Sequence, residues 1–150
     1  MRKNSVFNNE NSYLNSWYNI TKGFEEFYKN ESHDLNVNPA ESMFLSIIYY
    51  NDGISQREIA KRLFVSEANI TKTFKKLAEK ELVYKTIDEK NNARRNLHVT
   101  EKGEETFEKC IRIFDDFDEI LFERFTAEER EEMEAQLKAI GDRSLSIVKK

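Results

Sequence analysis

At 150 residues the chain is long enough for one domain with a sizeable core, and its 35% charged and 39% hydrophobic residues describe a soluble protein rich in surface helix. No run approaches the roughly 18 apolar residues that span a bilayer, so no membrane partner is expected, and the polar start at residues 1–5 predicts no signal peptide. A single cysteine excludes an internal disulfide framework, and eleven Phe with six Tyr argue against disorder; together these predict a cytoplasmic protein. The net charge of −4 hides an asymmetry. Residues 55–103 carry 12 Lys/Arg against 7 Asp/Glu, a net +5, whereas residues 104–134 carry 4 against 13, a net −9. A basic middle beside an acidic helical region points to a polyanionic partner for the middle alone.

In chain order, Tyr13, Trp17, Ile20, Phe24 and Phe27 recur at helical steps and predict a first helix over residues 12–30 with one apolar stripe. A second helix starts at Asn38 as N-cap, with Pro39 in first position and Glu41 in the first turn. Its body, from Met43 to Tyr50, is apolar nearly all round and predicts a central buried helix, stopped by Asn51, Asp52 and Gly53. Ser55 and Glu58 form a capping box, with Ile54 and Ile59 placed to staple the same turn, so a short third helix runs over residues 56–63. Ser66 caps a fourth helix, to about Lys80, with Ile70, Phe74 and Leu77 inward. The period then changes to two. Residues 83–87 and 97–99 predict a β-hairpin around Asn91 and Asn92. Thr100 opens a long helix with Phe107, Ile111, Phe114, Phe117, Leu121 and Phe125 as its ridge. Thr126 and Glu129 box the start of a last one, with Met133, Leu137, Ile140, Leu145 and Val148 inward. The expected order is α-α-α-α-β-β-α-α, mainly helical with one small hairpin.

Two short helices joined by a tight turn and followed by a hairpin make a winged helix-turn-helix. Ile59, Leu63, Val65, Ile70 and Phe74 stand where this geometry needs core residues, and small Ala60 lets the helices approach; Phe64 stands in the turn where a small residue is usual. On the opposite face of the second helix, Asn69, Lys72, Thr73 and Lys76 form a stripe without acid, flanked by Lys75. Lysine and threonine suit phosphates, and asparagine can pair bidentately with adenine in the major groove. Ser55, Gln56 and the cap Ser66 are placed to fix register on the phosphate backbone. Lys90, Arg94 and Arg95 lie near the hairpin tip, where arginines suit a narrow minor groove. A solvated helix face and ordinary edge-strand charge are the plainer readings of the same residues.

The helix-turn-helix, the run from Lys76 to Val83 and the segment from Asp88 to Gly103 resemble the MarR family of transcriptional regulators, over residues 12–149. The resemblance implies a homodimeric winged-helix regulator, in most cases a repressor, that binds a pseudo-palindromic operator on double-stranded DNA. Many such proteins release DNA when a small aromatic or anionic effector binds. The chain departs from the family pattern twice. Glu81 stands where glycine usually ends the recognition helix, and a non-glycine residue in left-handed conformation there is strained. Ala93 stands where the wing usually has arginine, leaving open whether Arg94 or Arg95 enters the groove.

The expected organisation is one domain over residues 1–150, with dimerisation helices at 12–36 and 104–149 and a winged lobe at 37–103. Trp17, Phe114, Phe117, Leu121, Leu137 and Ile140 are the candidate shared core of a dimer; an intramolecular bundle is the alternative. A family-like effector pocket would lie near Phe24, Tyr28, His33 and Phe44. Cys110, flanked by Glu105, Glu108 and Asp115, is expected as an inert buried residue. No nucleophile–base pair, metal-ligand spacing or glycine-rich phosphate loop appears, so no catalytic residue, metal or cofactor is expected. A different function for the same fold is a protein-interaction module that docks an acidic partner.

Overall fold

The computed structural model describes residues 12–148. The chain's polar start and Lys149, where the expected last segment ends, lie outside them. Six helices and a three-stranded antiparallel sheet follow in the order α1 (Tyr13–Glu31), α2 (Pro39–Tyr49), β1 (Ile54–Ser55), α3 (Gln56–Leu63), α4 (Glu67–Glu79), β2 (Val83–Ile87), β3 (Arg95–Val99), α5 (Glu101–Phe122) and α6 (Ala127–Val148). The described residues fall into two compact units that part after Phe114, within α5.

The expected helix starts are all present. Ser12 caps α1, and Asn38 and Glu41 close a reciprocal capping box on α2 with Pro39 in the first turn. Ser55 and Glu58 do the same for α3, with the staple residues Ile54 and Ile59 both buried. These starts are local events: each needs only residues two or three apart to satisfy amide donors that a helix leaves unpaired.

The core of the first unit is built from Tyr28, Phe44, Leu45, Ile48, Ile59, Ile70, Leu77, Leu97, Phe107 and Cys110. Strand β1 was not expected. It exists because the extended backbone of the N-cap Ser55 pairs with β3, setting Ile54 opposite Leu97 and Ser55 opposite Asn96. β3 therefore lies centrally, between β1 and β2. The hairpin runs Val83 opposite Val99 to Ile87 opposite Arg95, and its loop spans residues 88–94. Asp88 organises that loop, its Oδ1 accepting from the Lys90 and Asn91 amides at 2.9 and 3.0 Å.

Four inward assignments are corrected. In α1 the stripe divides: Phe24 and Phe27 pack on the core, while Tyr13, Trp17 and Ile20 are exposed. In α5 the core face is Gly103, Phe107, Cys110 and Ile113, and Phe114 and Leu121 are exposed, as is Phe125 beyond the helix end. The rotation follows from Gly103, where a Cβ would stand 2.1 Å from the Leu82 carbonyl oxygen; only glycine lets the helix start this close to the strand. In α6 no residue is buried, and Leu137, Ile140, Leu145 and Val148, expected inward, are exposed. Val65, expected in the core of the helix-turn-helix, is also exposed. The second unit ties its own turn: Arg130 pairs with Asp118 and Glu134 and lies over the Phe122 ring.

Candidate nucleic-acid interface

Helix α4 is fixed at its start by Ser66, whose Oγ accepts from the Asn69 amide at 3.3 Å, and along its inner face by buried Ile70, Phe74 and Leu77. That leaves Asn69, Lys72 and Lys76 exposed in one stripe. Lys72 and Lys76 form no ion pair with any described residue, so their charge is available to an external anion. Lys75 is exposed beside them and sits 3.9 Å from Glu79. Thr73 is half-buried at the edge of the stripe, and its hydroxyl donates to the Asn69 carbonyl at 3.1 Å. Its proton is spent on the helix backbone, so it faces outward with a methyl group and an acceptor oxygen.

The turn between α3 and α4 passes through Phe64, at φ 54° and ψ 39°. This is left-handed backbone, which costs a non-glycine residue roughly 1–2 kcal/mol. The small residue usual here is explained by that geometry, and Phe64 is half-exposed. The far end of α4 repeats the pattern. Glu81 has φ 63°, as its place in the sequence leads one to expect. The Glu81 and Leu82 amides bond back to the Ala78 and Leu77 carbonyls at 2.9 and 3.0 Å, a tight helix stop that requires left-handed backbone at this residue. Leu82 and Leu77, both buried, complete it.

On the wing, neither arginine is loose. Arg94 donates to Asn96 Oδ1 at 3.1 Å and to Glu58 Oε2 at 3.3 Å, and lies 3.8 Å from Asp88 Oδ2. Arg95 donates to the Asn92 and Arg94 carbonyls at 2.6 and 3.2 Å. Lys90 is exposed at the tip. Ser55 spends its hydroxyl on Glu58, donating at 2.6 Å. The Ser55 hydroxyl and amide bonds, aided by Arg94 and Arg62, hold the Glu58 carboxyl below the usual carboxylate range. The Asn96 amide, then the Lys90 backbone, lower Asp88 likewise.

Between α3 and the wing runs a groove of about 600 Å³ whose walls include Gln56, Arg57, Lys61, Arg94 and Arg95. Arg57 and Lys61 were missed in the sequence. Their i, i+4 spacing on the outer face of α3 was the available signal, but it gains meaning only once the wing folds alongside.

The four residues placed at an effector pocket separate. Phe24 and Tyr28 lie 5.9 Å apart between ring centroids and meet the Phe114 ring at 4.7 and 6.1 Å, in tilted and edge-on contacts; Phe44 is in the core, and His33 is exposed. A cleft of about 330 Å³ lies between the end of α1, the start of α2 and Lys80, and of the four only Tyr28 reaches it. The Tyr28 hydroxyl donates to the Val37 carbonyl at 3.1 Å and meets Cys110 Sγ at 3.2 Å. Burial, then the Cys110 contact, pushes this phenol far above its ordinary range. Cys110 is fully buried, as expected.

The residues placed at a dimer interface are accessible to different degrees. Trp17 and Ile140 are each 64% exposed and Leu137 50%, while Phe114 and Leu121 are near the edge of exposure and Phe117 is half-buried. No helix among the described residues is long and apolar enough to cross a membrane.

Comparison with known proteins agrees with this geometry. Residues 37–95 match the model of the MarR family. An uncharacterized HTH-type transcriptional regulator, YybA of Bacillus subtilis (strain 168), is 28% identical over 87% of this chain and 89% of its own. A crystal structure of MarR superposes with a TM-score of 0.77 at 24% identity, covering 98% of this chain and 95% of that one. A structure of S. aureus MepR with DNA does so with a TM-score of 0.79 at 24% identity, covering 90% and 98%. The curated relatives are HTH-type transcriptional regulators.

Proposed function

From the premise that this chain carries the MarR-family module over residues 37–95 and shares the MarR fold over nearly its whole length, we propose that it is a cytoplasmic, sequence-specific regulator that binds double-stranded DNA as a homodimer and represses transcription from a pseudo-palindromic operator. The single observation that carries the reading is the outer face of α4. Two exposed lysines without an acidic partner among the described residues follow an exposed asparagine along one stripe, on a helix whose inner face is anchored in the core. Such a face supplies phosphate attraction and one base-reading amide. MepR, with the same fold, has been solved with DNA.

The groove between α3 and the wing supports the reading, since Arg57, Lys61 and Arg95 line a path for a phosphate backbone. Homodimerisation is supported by the exposed aliphatic row on α6 and by Trp17 on α1. Two recognition helices in a symmetric dimer read half-sites about one DNA turn, roughly 34 Å, apart. The domain organisation follows from this: a reading lobe at 37–103 and pairing helices at 12–36 and 104–149. A small aromatic or anionic effector remains part of the proposal, with the cleft beside Tyr28 as its place.

Selection from a randomised duplex pool tests the reading. The wild-type protein enriches an inverted repeat. Lys72→Ala weakens binding to all sequences alike and lowers the salt dependence by about one counterion, whereas Asn69→Ala costs about 1–3 kcal/mol and relaxes preference at one base of each half-site. Failure to enrich any duplex would favour an acidic protein as the partner of the same face.

A further inference from the structure

Of the five lysines from Lys72 to Lys85, one is turned away from solvent. Lys80 follows Lys76 by four residues, so sequence spacing alone would extend the DNA-facing stripe through it. Instead its Nζ lies 2.8 Å from Glu41 Oε2, with side chains only 23% and 7% exposed. The stripe therefore ends at Lys76, and the last cation of α4 serves a different purpose.

The partner is itself held. Glu41 Oε2 also accepts from the Asn38 amide at 3.1 Å, and Asn38 Oδ1 in turn accepts from the Glu41 amide at 2.9 Å. The carboxylate is thus part of the capping box that starts α2, and Lys80 docks on a point held by that box. The residues after Lys80 are tied to the start of α5: the Glu81 carbonyl accepts the Thr100 hydroxyl at 2.7 Å and the Leu82 carbonyl the Thr100 amide at 3.0 Å. The exit of the recognition helix is consequently held between two other helix starts, one by an ion pair and one by bonds from the Thr100 hydroxyl and amide to backbone carbonyls.

A buried ion pair is an inefficient source of stability, because desolvating both charges offsets most of their attraction. What it does supply is direction: a lysine stem ending on one fixed carboxylate oxygen selects one orientation of the helix that carries it. We infer that Lys80 and Glu41 are positioning residues for DNA recognition, setting the exit of α4 against the start of α2 so that Asn69, Lys72 and Lys76 share one orientation, without either touching the nucleic acid. The inference rests on the DNA-binding reading above. It assigns to Lys80 a role that its position in a basic helix conceals.

The experiment uses the full chain and a duplex enriched by the wild-type protein from a randomised pool. Affinity is measured over a salt series, at a temperature well below each variant's own unfolding midpoint. Lys80→Met and Glu41→Gln each lower affinity about tenfold, inside the usual span of coupling between sites, and both leave the salt slope at its wild-type value. Lys80→Arg, which keeps the charge and reaches the same carboxylate, recovers most of the loss. A salt slope that falls by about one for Lys80→Met, with Glu41→Gln neutral, would make Lys80 a phosphate contact and overturn the inference. So would variants that melt earlier yet bind as wild type while folded, since the pair would then be structural only. Lys72→Ala is the control that separates the two readings. If the wild type enriches no duplex, the DNA reading has failed; if Lys72→Ala weakens binding and neither pair variant does, only the positioning role has.

Discussion

Helices α4 and α6 read alike in the sequence and end differently in the molecule. Both carry apolar residues at steps of three and four, and both begin at a hydroxyl-bearing residue followed three positions later by a residue of the first turn. Yet α4 buries Ile70, Phe74 and Leu77 inside its own chain, whereas α6, nine residues longer, buries none and leaves Leu137, Ile140, Leu145, Ile147 and Val148 exposed. Periodicity states that a face must be covered; it does not state by what. Each such aliphatic side chain gains about 1.5–3 kcal/mol on full burial. Five in one helix form a surface a monomer leaves uncovered at considerable cost, and a second copy of the same helix is the occupant that the proposed dimer supplies.

The sharpest way to break the comparison is to charge that face. Leu137→Glu with Ile140→Glu, both at exposed positions, should leave the helical content of the monomer intact by circular dichroism. The mass by light scattering should halve, and affinity for an inverted repeat should fall about a hundredfold or more as one of two linked reading heads is lost. The same pair of changes at Ile70 and Leu77 would unfold the lobe. If the double variant stays dimeric, the exposed row of α6 is not the interface.

A second test acts where the lobe meets α5. A methyl at residue 103 would stand 2.1 Å from the Leu82 carbonyl oxygen and 2.6 Å from Val99 Cγ1, and the nearer atom is backbone that cannot swing aside. Gly103→Ala should therefore destabilise by about 3 kcal/mol, at the upper end of ordinary overpacking, although alanine is the better helix former. Gly141, where a methyl would meet nothing within 4 Å, is the matched control: Gly141→Ala should be neutral or mildly stabilising. Denaturant unfolding of the two variants side by side checks this. Equal midpoints would mean that Gly103 is no tighter than an open surface position.

What was legible in the chain follows the same division. The starts of α2, α3 and α4 were readable because Asn38, Ser55 and Ser66 each bond to an amide three residues on. The outer stripe of α4 was readable because its inner stripe was. β1 was not, because its two residues are a strand only by pairing with Asn96 and Leu97, some forty residues later. The turning of α5 was not, because Phe107 and Phe114 look equivalent until Gly103 sets which face approaches the core. Arg57 and Lys61 escaped for a related reason: the groove they line needs the wing as its second wall. The pocket assignment mixed a core residue, Phe44, with an exposed one, His33, since aromatic character does not reveal depth.

The smallest expected effect concerns strain that the well-covered lobe tolerates. Glu81 holds left-handed backbone so that α4 can stop and the chain can turn into β2. Glycine there would relieve roughly 1–2 kcal/mol of steric cost and give back about 0.5–1 kcal/mol in backbone entropy. The exposed Lys102 pair, at 3.0 Å, would also be lost, and such pairs contribute little. Glu81→Gly should thus stabilise by about 0.5 kcal/mol, a rise of about 2 °C or less in melting temperature for a chain of this size. DNA affinity should stay the same, because Lys80 still reaches Glu41. An unchanged or lower melting temperature would mean that the Glu81 side chain contributes more to the helix exit than its backbone costs.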